Sequence, residues 1–155
     1  ITKRKRLCQV TNLLNRISEQ IKIVFVIHKP TRRYLQRFGL MNKLSSNIQV
    51  LGVQDYVNFT SLLKAAKIVL TDGGSIQEEC TYLNKPCLIL RSKTERPDGL
   101  DKNAVLWNFS ESELNRFLDK SWDSVPPDTK QWPRPSQMIV KALENYLNNT
   151  QQANV

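Results

Sequence analysis

The chain is 155 residues long, 40% hydrophobic and 24% charged, with 23 Lys and Arg against 14 Asp and Glu for a net charge of +9. That length and balance suit one globular domain with a proper core, and no apolar run approaches the roughly 20 residues of a membrane span. The only histidine, His28, leaves no imidazole cluster for a zinc site, and Cys8, Cys80 and Cys87, without C-x-x-C spacing, favour reduced thiols in a cytoplasmic protein over disulfides.

Residues 3–6 form a basic cluster that reads as a solvated helix start. Leu7, Val10, Leu13, Leu14 and Ile17 then recur at three- and four-residue steps, so the first twenty residues form a helix with one apolar face. An α/β domain usually begins on a strand, so this opening suggests a piece of a longer protein. Residues 21–27 are apolar apart from Lys22 and fit a parallel strand buried on both faces, ending at His28. Pro30 and Thr31 can start a helix through Phe38, with Gly39 placed as the left-handed residue that stops it. A second strand spans 48–51, a loop follows over 52–56, and residues 57–66 carry Phe59, Leu62, Leu63 and Ala66 at helical spacing. Phe59 suits the core face of that helix as well as a ligand.

Residues 67–70 form a short strand that runs straight into Thr71–Glu79, T-D-G-G-S-I-Q-E-E. This is a strand-to-helix turn. Gly73 and Gly74 allow positive φ and close approach to the backbone, while Ser75 and Glu78 have the spacing of a capping box. Unpaired N–H groups and the positive end of the helix dipole then offer an anion site. A plain, well-capped βα turn accounts for the glycines equally well, but Glu79, beside Glu78, leaves one carboxylate free for ligand hydroxyls.

Residues 86–90 read as a strand, 91–99 as a polar loop, 104–107 as a short strand and 111–118 as a helix. A proline-rich connection over 122–135 leads to a closing helix at 136–147, and residues 148–155 are polar and expected to fray. Trp107, Trp122 and Trp132 read as packing residues. Apolar strands alternating with helices predict an α/β fold, a Rossmann-like parallel sheet with helices on both faces. Ligands bind such sheets at the carboxyl ends of the strands, where His28 and the loops 52–56, 72–75 and 91–99 all fall. The basic excess fits either nucleic acid or a small anion. The basic clusters, 3–6 and Arg32, Arg33 and Arg37, lack the interleaved aromatics of a stacking surface, which favours the anion.

Residues 71–79, the turn Asn84-Lys85-Pro86 and Leu90 to Pro97 together resemble the C-terminal domain of the non-hydrolysing UDP-N-acetylglucosamine 2-epimerases. That family's pattern runs T-D-S-G-G-x-Q-E-E, G-K-P and R-x-x-T-E-R-P at matching intervals, and the resemblance covers most of residues 5–107. It implies one half of a GT-B architecture, with residues 1–150 as the nucleotide-binding domain, 151–155 as a frayed tail and the N-terminal domain absent. The family's H-R-x-E-N segment is absent too. The implied reaction interconverts UDP-GlcNAc and UDP-ManNAc by eliminating UDP across C1 and C2 and adding it back. It serves polysaccharide biosynthesis, needs neither metal nor nicotinamide cofactor, and runs in full-length homodimers.

Carried over by position, the resemblance places His28 and Arg96 near the diphosphate, Phe59 beside the uracil, Gly73, Gly74 and Ser75 in the phosphate-binding turn, and Glu79 on the ribose hydroxyls. It assigns no catalytic residue here, so the chain alone is expected to be inactive. One departure is visible: the order is G-G-S where the family commonly has S-G-G, so the hydroxyl of Ser75 is expected to cap the helix while backbone N–H groups carry the anion. A GT-B glycosyltransferase domain shares these features, and a non-catalytic nucleotide- or nucleic-acid-binding module is the reading outside enzymes.

Overall fold

The computed structural model describes residues 3–100, 102–120 and 134–152. Helix α1 (Arg4–Ser18) forms on the predicted apolar stripe, and Leu7, Val10, Leu13, Leu14 and Ile17 are all buried. Strand β1 (Ile23–Val26) leads through His28 to α2 (Lys29–Arg37). Helix α2 stops where the sequence predicts: Gly39 takes φ +65°, its N–H donates to the Gln36 carbonyl at 3.0 Å, and the Leu40 N–H donates to Leu35 at 2.8 Å. A 3-10 turn (Met41–Lys43) precedes β2 (Ile48–Leu51). Helix α3 (Tyr56–Ala65) starts on Asp55, whose carboxylate accepts the Asn58 N–H at 2.8 Å. The chain continues through β3 (Val69–Thr71), α4 (Gly74–Tyr82), β4 (Cys87–Ile89), β5 (Ala104–Leu106), α5 (Glu111–Asp119) and α6 (Pro135–Gln152).

The ladders among the described residues are all parallel, as the buried apolar strands require. They fall into two groups, β1 with β2 and β3-β4-β5 in that order. In the three-stranded group, side chains alternate between two cores. Leu70, Leu88, Leu90, Val105 and Trp107 pack with Leu13 and Leu14 of α1 and Leu114 and Phe117 of α5. Val69, Cys87, Ile89, Ala104 and Leu106 pack with Leu63 of α3 and Cys80 of α4. This period of two puts helices on both faces of the group. Ile23, Phe25, Ile48 and Val50 join the first core, so α1 ties the two ladder groups together.

Several expectations need correction. The strand expected over 21–27 is shorter and is not buried on both faces: Val24 is 45% exposed because it alternates with Ile23 and Phe25, which take the covered side. β3 starts at Val69 rather than 67. Helix α6 carries Met138, Ile139, Val140, Leu143 and Tyr146, each more than half exposed. It continues to Gln152, through residues expected to fray, while residues 153–155, Trp122, Trp132 and most of the proline-rich connection lie outside the described residues. Trp107 packs as expected, 3% exposed, with its indole N–H donating to the Ser110 carbonyl at 3.0 Å. All three cysteines are free thiols, and Cys80 and Cys87 are fully buried. Among the described residues no helix is long and apolar enough to cross a membrane.

Candidate functional site

Parallel pairing gathers the carboxyl ends of neighbouring strands. The Ile27 N–H donates to the Leu51 carbonyl at 3.0 Å, extending the β1–β2 pairing by one residue, with His28 next in the chain at the end of β1. The Leu90 N–H donates to Thr71 at 2.7 Å and the Trp107 N–H to Ile89 at 2.9 Å. The turn after β3 and the loop after β4 therefore lie side by side.

Helix α4 begins earlier than a capping box at Ser75 requires. Gly73 is the N-cap, with φ −106° and no side chain of its own to cap with, and Ser75 is the second helical residue and exposed. Thr71 Oγ1 accepts the Gly73 N–H at 3.0 Å, and Glu78, expected to complete the box, instead pairs with Arg96 at 2.6 Å. Neither Gly73 nor Gly74 takes a positive φ. The use of Gly74 is close approach, since a Cβ there would lie 2.9 Å from Glu95 Oε1 and 3.2 Å from Arg96 Cγ. The N–H groups of Gly74, Ser75 and Ile76 have no acceptor within the helix and stand at the positive end of its dipole. This is the local geometry of an anion site, with the Ser75 hydroxyl free to join it.

The loop after β4 is fastened to α4 by residues that sequence reasoning gave no role. Gln77 is fully buried, and its side-chain amide donates to the carbonyls of Arg96 at 3.0 Å and Asp98 at 2.7 Å. Its Oε1 accepts from the Thr94 hydroxyl at 2.9 Å. Asn103, 3% exposed, donates to the carbonyls of Cys80 at 3.0 Å and Lys85 at 2.7 Å, closing the far end of the loop. Gly99 turns between them at φ +71°, where a Cβ would lie 2.5 Å from Thr81 Oγ1 and 2.6 Å from Asn103 Oδ1. The available signal was position: Gln77 lies three residues before Cys80 and four before Thr81, on the stripe of α4 that must be buried.

The structure thus brings Gly73, Gly74, Ser75 and Arg96 together. Glu79 lies one turn along α4 from Ser75, half-buried, and its carboxylate has no hydrogen bond or ion pair among the described residues. Phe59 is half-buried against the core cluster that contains Leu63, Val69, Cys80 and Ile89, so part of its ring is packing. His28 is exposed at the start of α2, on the other ladder group.

A family model described as UDP-N-acetylglucosamine 2-epimerase matches residues 1–124. The chain belongs to this family. The UDP-N-acetylglucosamine 2-epimerase of Methanococcus maripaludis is 40% identical over 111 residues, covering 69% of this chain and 30% of the relative. That of Methanocaldococcus jannaschii is 33% identical over 134 residues, covering 82% and 36%. The crystal structure of the M. jannaschii enzyme in complex with UDP-GlcNAc and UDP superposes with a TM-score of 0.75 at 27% identity, over 92% of this chain and 41% of that one. This epimerase-family chain therefore spans about a third of the length of the curated relatives it matches.

Proposed function

We propose that residues 1–150 form the nucleotide-binding domain of a UDP-N-acetylglucosamine 2-epimerase, one half of a GT-B architecture, and hold the UDP of a UDP-sugar. The observation that carries the reading is the first turn of α4, where three N–H groups without helical acceptors stand beside Arg96. The diphosphate accepts from Gly74 and Ser75, with the Ser75 hydroxyl adding a donor. Arg96 supplies the cation. Its present partner, Glu78, holds the guanidinium over Gly74 and shares it when phosphate arrives. Glu79, unengaged one turn further on, accepts from the ribose hydroxyls. Phe59 flanks the uracil with the part of its ring that packing leaves open, and His28 reaches the diphosphate from the end of β1.

The epimerisation breaks the C1–O bond to UDP with loss of the C2 proton to leave a C1–C2 double bond, then re-forms the C1–O bond to UDP while a proton is delivered to the opposite face of C2. None of the residues gathered here is assigned to that proton transfer. The remainder of a longer polypeptide supplies it, in a cytoplasmic homodimer feeding polysaccharide synthesis. Calorimetric titration with UDP tests the binding role: saturable heat at micromolar to millimolar UDP is expected. No heat at millimolar UDP, with clear binding to DNA or RNA, would replace this reading with a nucleic-acid module.

A further inference from the structure

The anion site has an arginine whose guanidinium is steered by an ion pair but whose backbone is held by one buried side chain. Gln77 spends both amide hydrogens on the loop, one on the carbonyl of Arg96 itself and one on that of Asp98, two residues on. Its oxygen takes the Thr94 hydroxyl, and Thr94 Oγ1 in turn accepts the Arg96 N–H at 3.2 Å. Arg96 is therefore clamped at both its carbonyl and its N–H by a two-residue relay rooted in α4. The side chain that emerges from this clamp crosses Gly74 and meets Glu78 one turn below, so helix and loop are locked in one register.

We propose that Gln77 is a positioning residue for the phosphate site, acting through Thr94 to fix Arg96 over the first turn of α4; this rests on the reading that the turn holds the diphosphate of a UDP-sugar. Gln77 is fully buried and so acts from behind the turn rather than on the ligand directly. Its three side-chain hydrogen bonds all go to the loop that carries the arginine, which is the arrangement expected of a group that pre-organises a cation for an anion.

The test is a cycle in the full chain. Gln77→Leu is titrated with UDP and with uridine, with and without Arg96→Ala, and thermal denaturation confirms folding. Gln77→Leu should weaken UDP by about tenfold, the loss expected when a charge-assisted contact is mispositioned, and leave uridine within about twofold. In the Arg96→Ala background it should cost nothing further. Thr94→Val, which removes one hydroxyl and keeps the shape, should show the same pattern at about threefold and carries the test if Gln77→Leu does not fold. Equal losses for UDP and uridine, or full additivity with Arg96→Ala, overturn the proposal and leave Gln77 a packing residue. UDP binding indifferent to both substitutions overturns the positioning role alone, whereas no UDP binding by the unsubstituted chain overturns the functional reading as well.

Discussion

If Glu79 accepts from the ribose hydroxyls as proposed, replacing it by alanine should separate ribose recognition from phosphate recognition. The carboxylate is half-buried on α4 and has no partner among the described residues, so its removal leaves no donor stranded. Folding should change by less than about 0.5 kcal/mol, with no shift in Tm beyond a few degrees. Hydrogen bonds from ribose hydroxyls to an ionised acceptor contribute about 1.5–3 kcal/mol, so the Kd for UDP should rise about 10- to 100-fold. On the proposed reading pyrophosphate meets the helix turn, Arg96 and His28 but not Glu79, and its affinity should rise slightly, because one negative charge near the turn is gone. Calorimetry with UDP, uridine and pyrophosphate reads all three. Equal losses for UDP and pyrophosphate, or a large fall in Tm with no selective effect on uridine-containing ligands, would refute the ribose assignment and leave Glu79 structural.

Three further outcomes follow from local geometry. Gly99→Ala places a Cβ 2.5 Å from Thr81 Oγ1 and 2.6 Å from Asn103 Oδ1 at a φ of +71°; left-handed strain and loss of the Asn103 contacts should together cost about 3 kcal/mol in denaturant unfolding, and a cost under about 1 kcal/mol would mean that the loop relaxes freely. Asp55→Ala removes the N-cap of α3 and its 2.8 Å bond from the Asn58 N–H, for an expected loss of about 1 kcal/mol that Asp55→Ser should largely restore. The hydrogen bond with Cys80, then burial, holds the Cys87 thiol far above its ordinary value of about 8.5. The unfolded chain loses this proton above that pH and the folded chain does not, so the contribution is fully present below about pH 8.5. Above it, stability should fall by about 1.4 kcal/mol per pH unit. The slope should shrink in Cys87→Ala, and an unchanged slope would assign it to other groups.

The amino-acid sequence determined most of the elements and the edge on which the candidate site lies. Periodicity and punctuation are local, so the apolar stripe of Leu7 to Ile17, the stop at Gly39 and the strand before Thr71 could be read without coordinates, and parallel strands then put the polar loops at one kind of end. The stripe of α4 could mark Gln77 as buried, but the partners of Glu78 and Gln77 could not be read this way. A carboxylate three residues after a serine satisfies a capping box locally, but an arginine 18 positions further on competes for it with a charge, and the helix starts at Gly74 instead. Gln77 finds its partners 17 to 21 residues away, in a loop whose path depends on Asn103 and Gly99. Such contacts are set by which surfaces the tertiary fold presses together, and spacing along the chain carries no record of them. The fold therefore decided that the turn is closed by Thr71 and flanked by a fixed arginine, with its serine exposed and the serine hydroxyl making no hydrogen bond among the described residues.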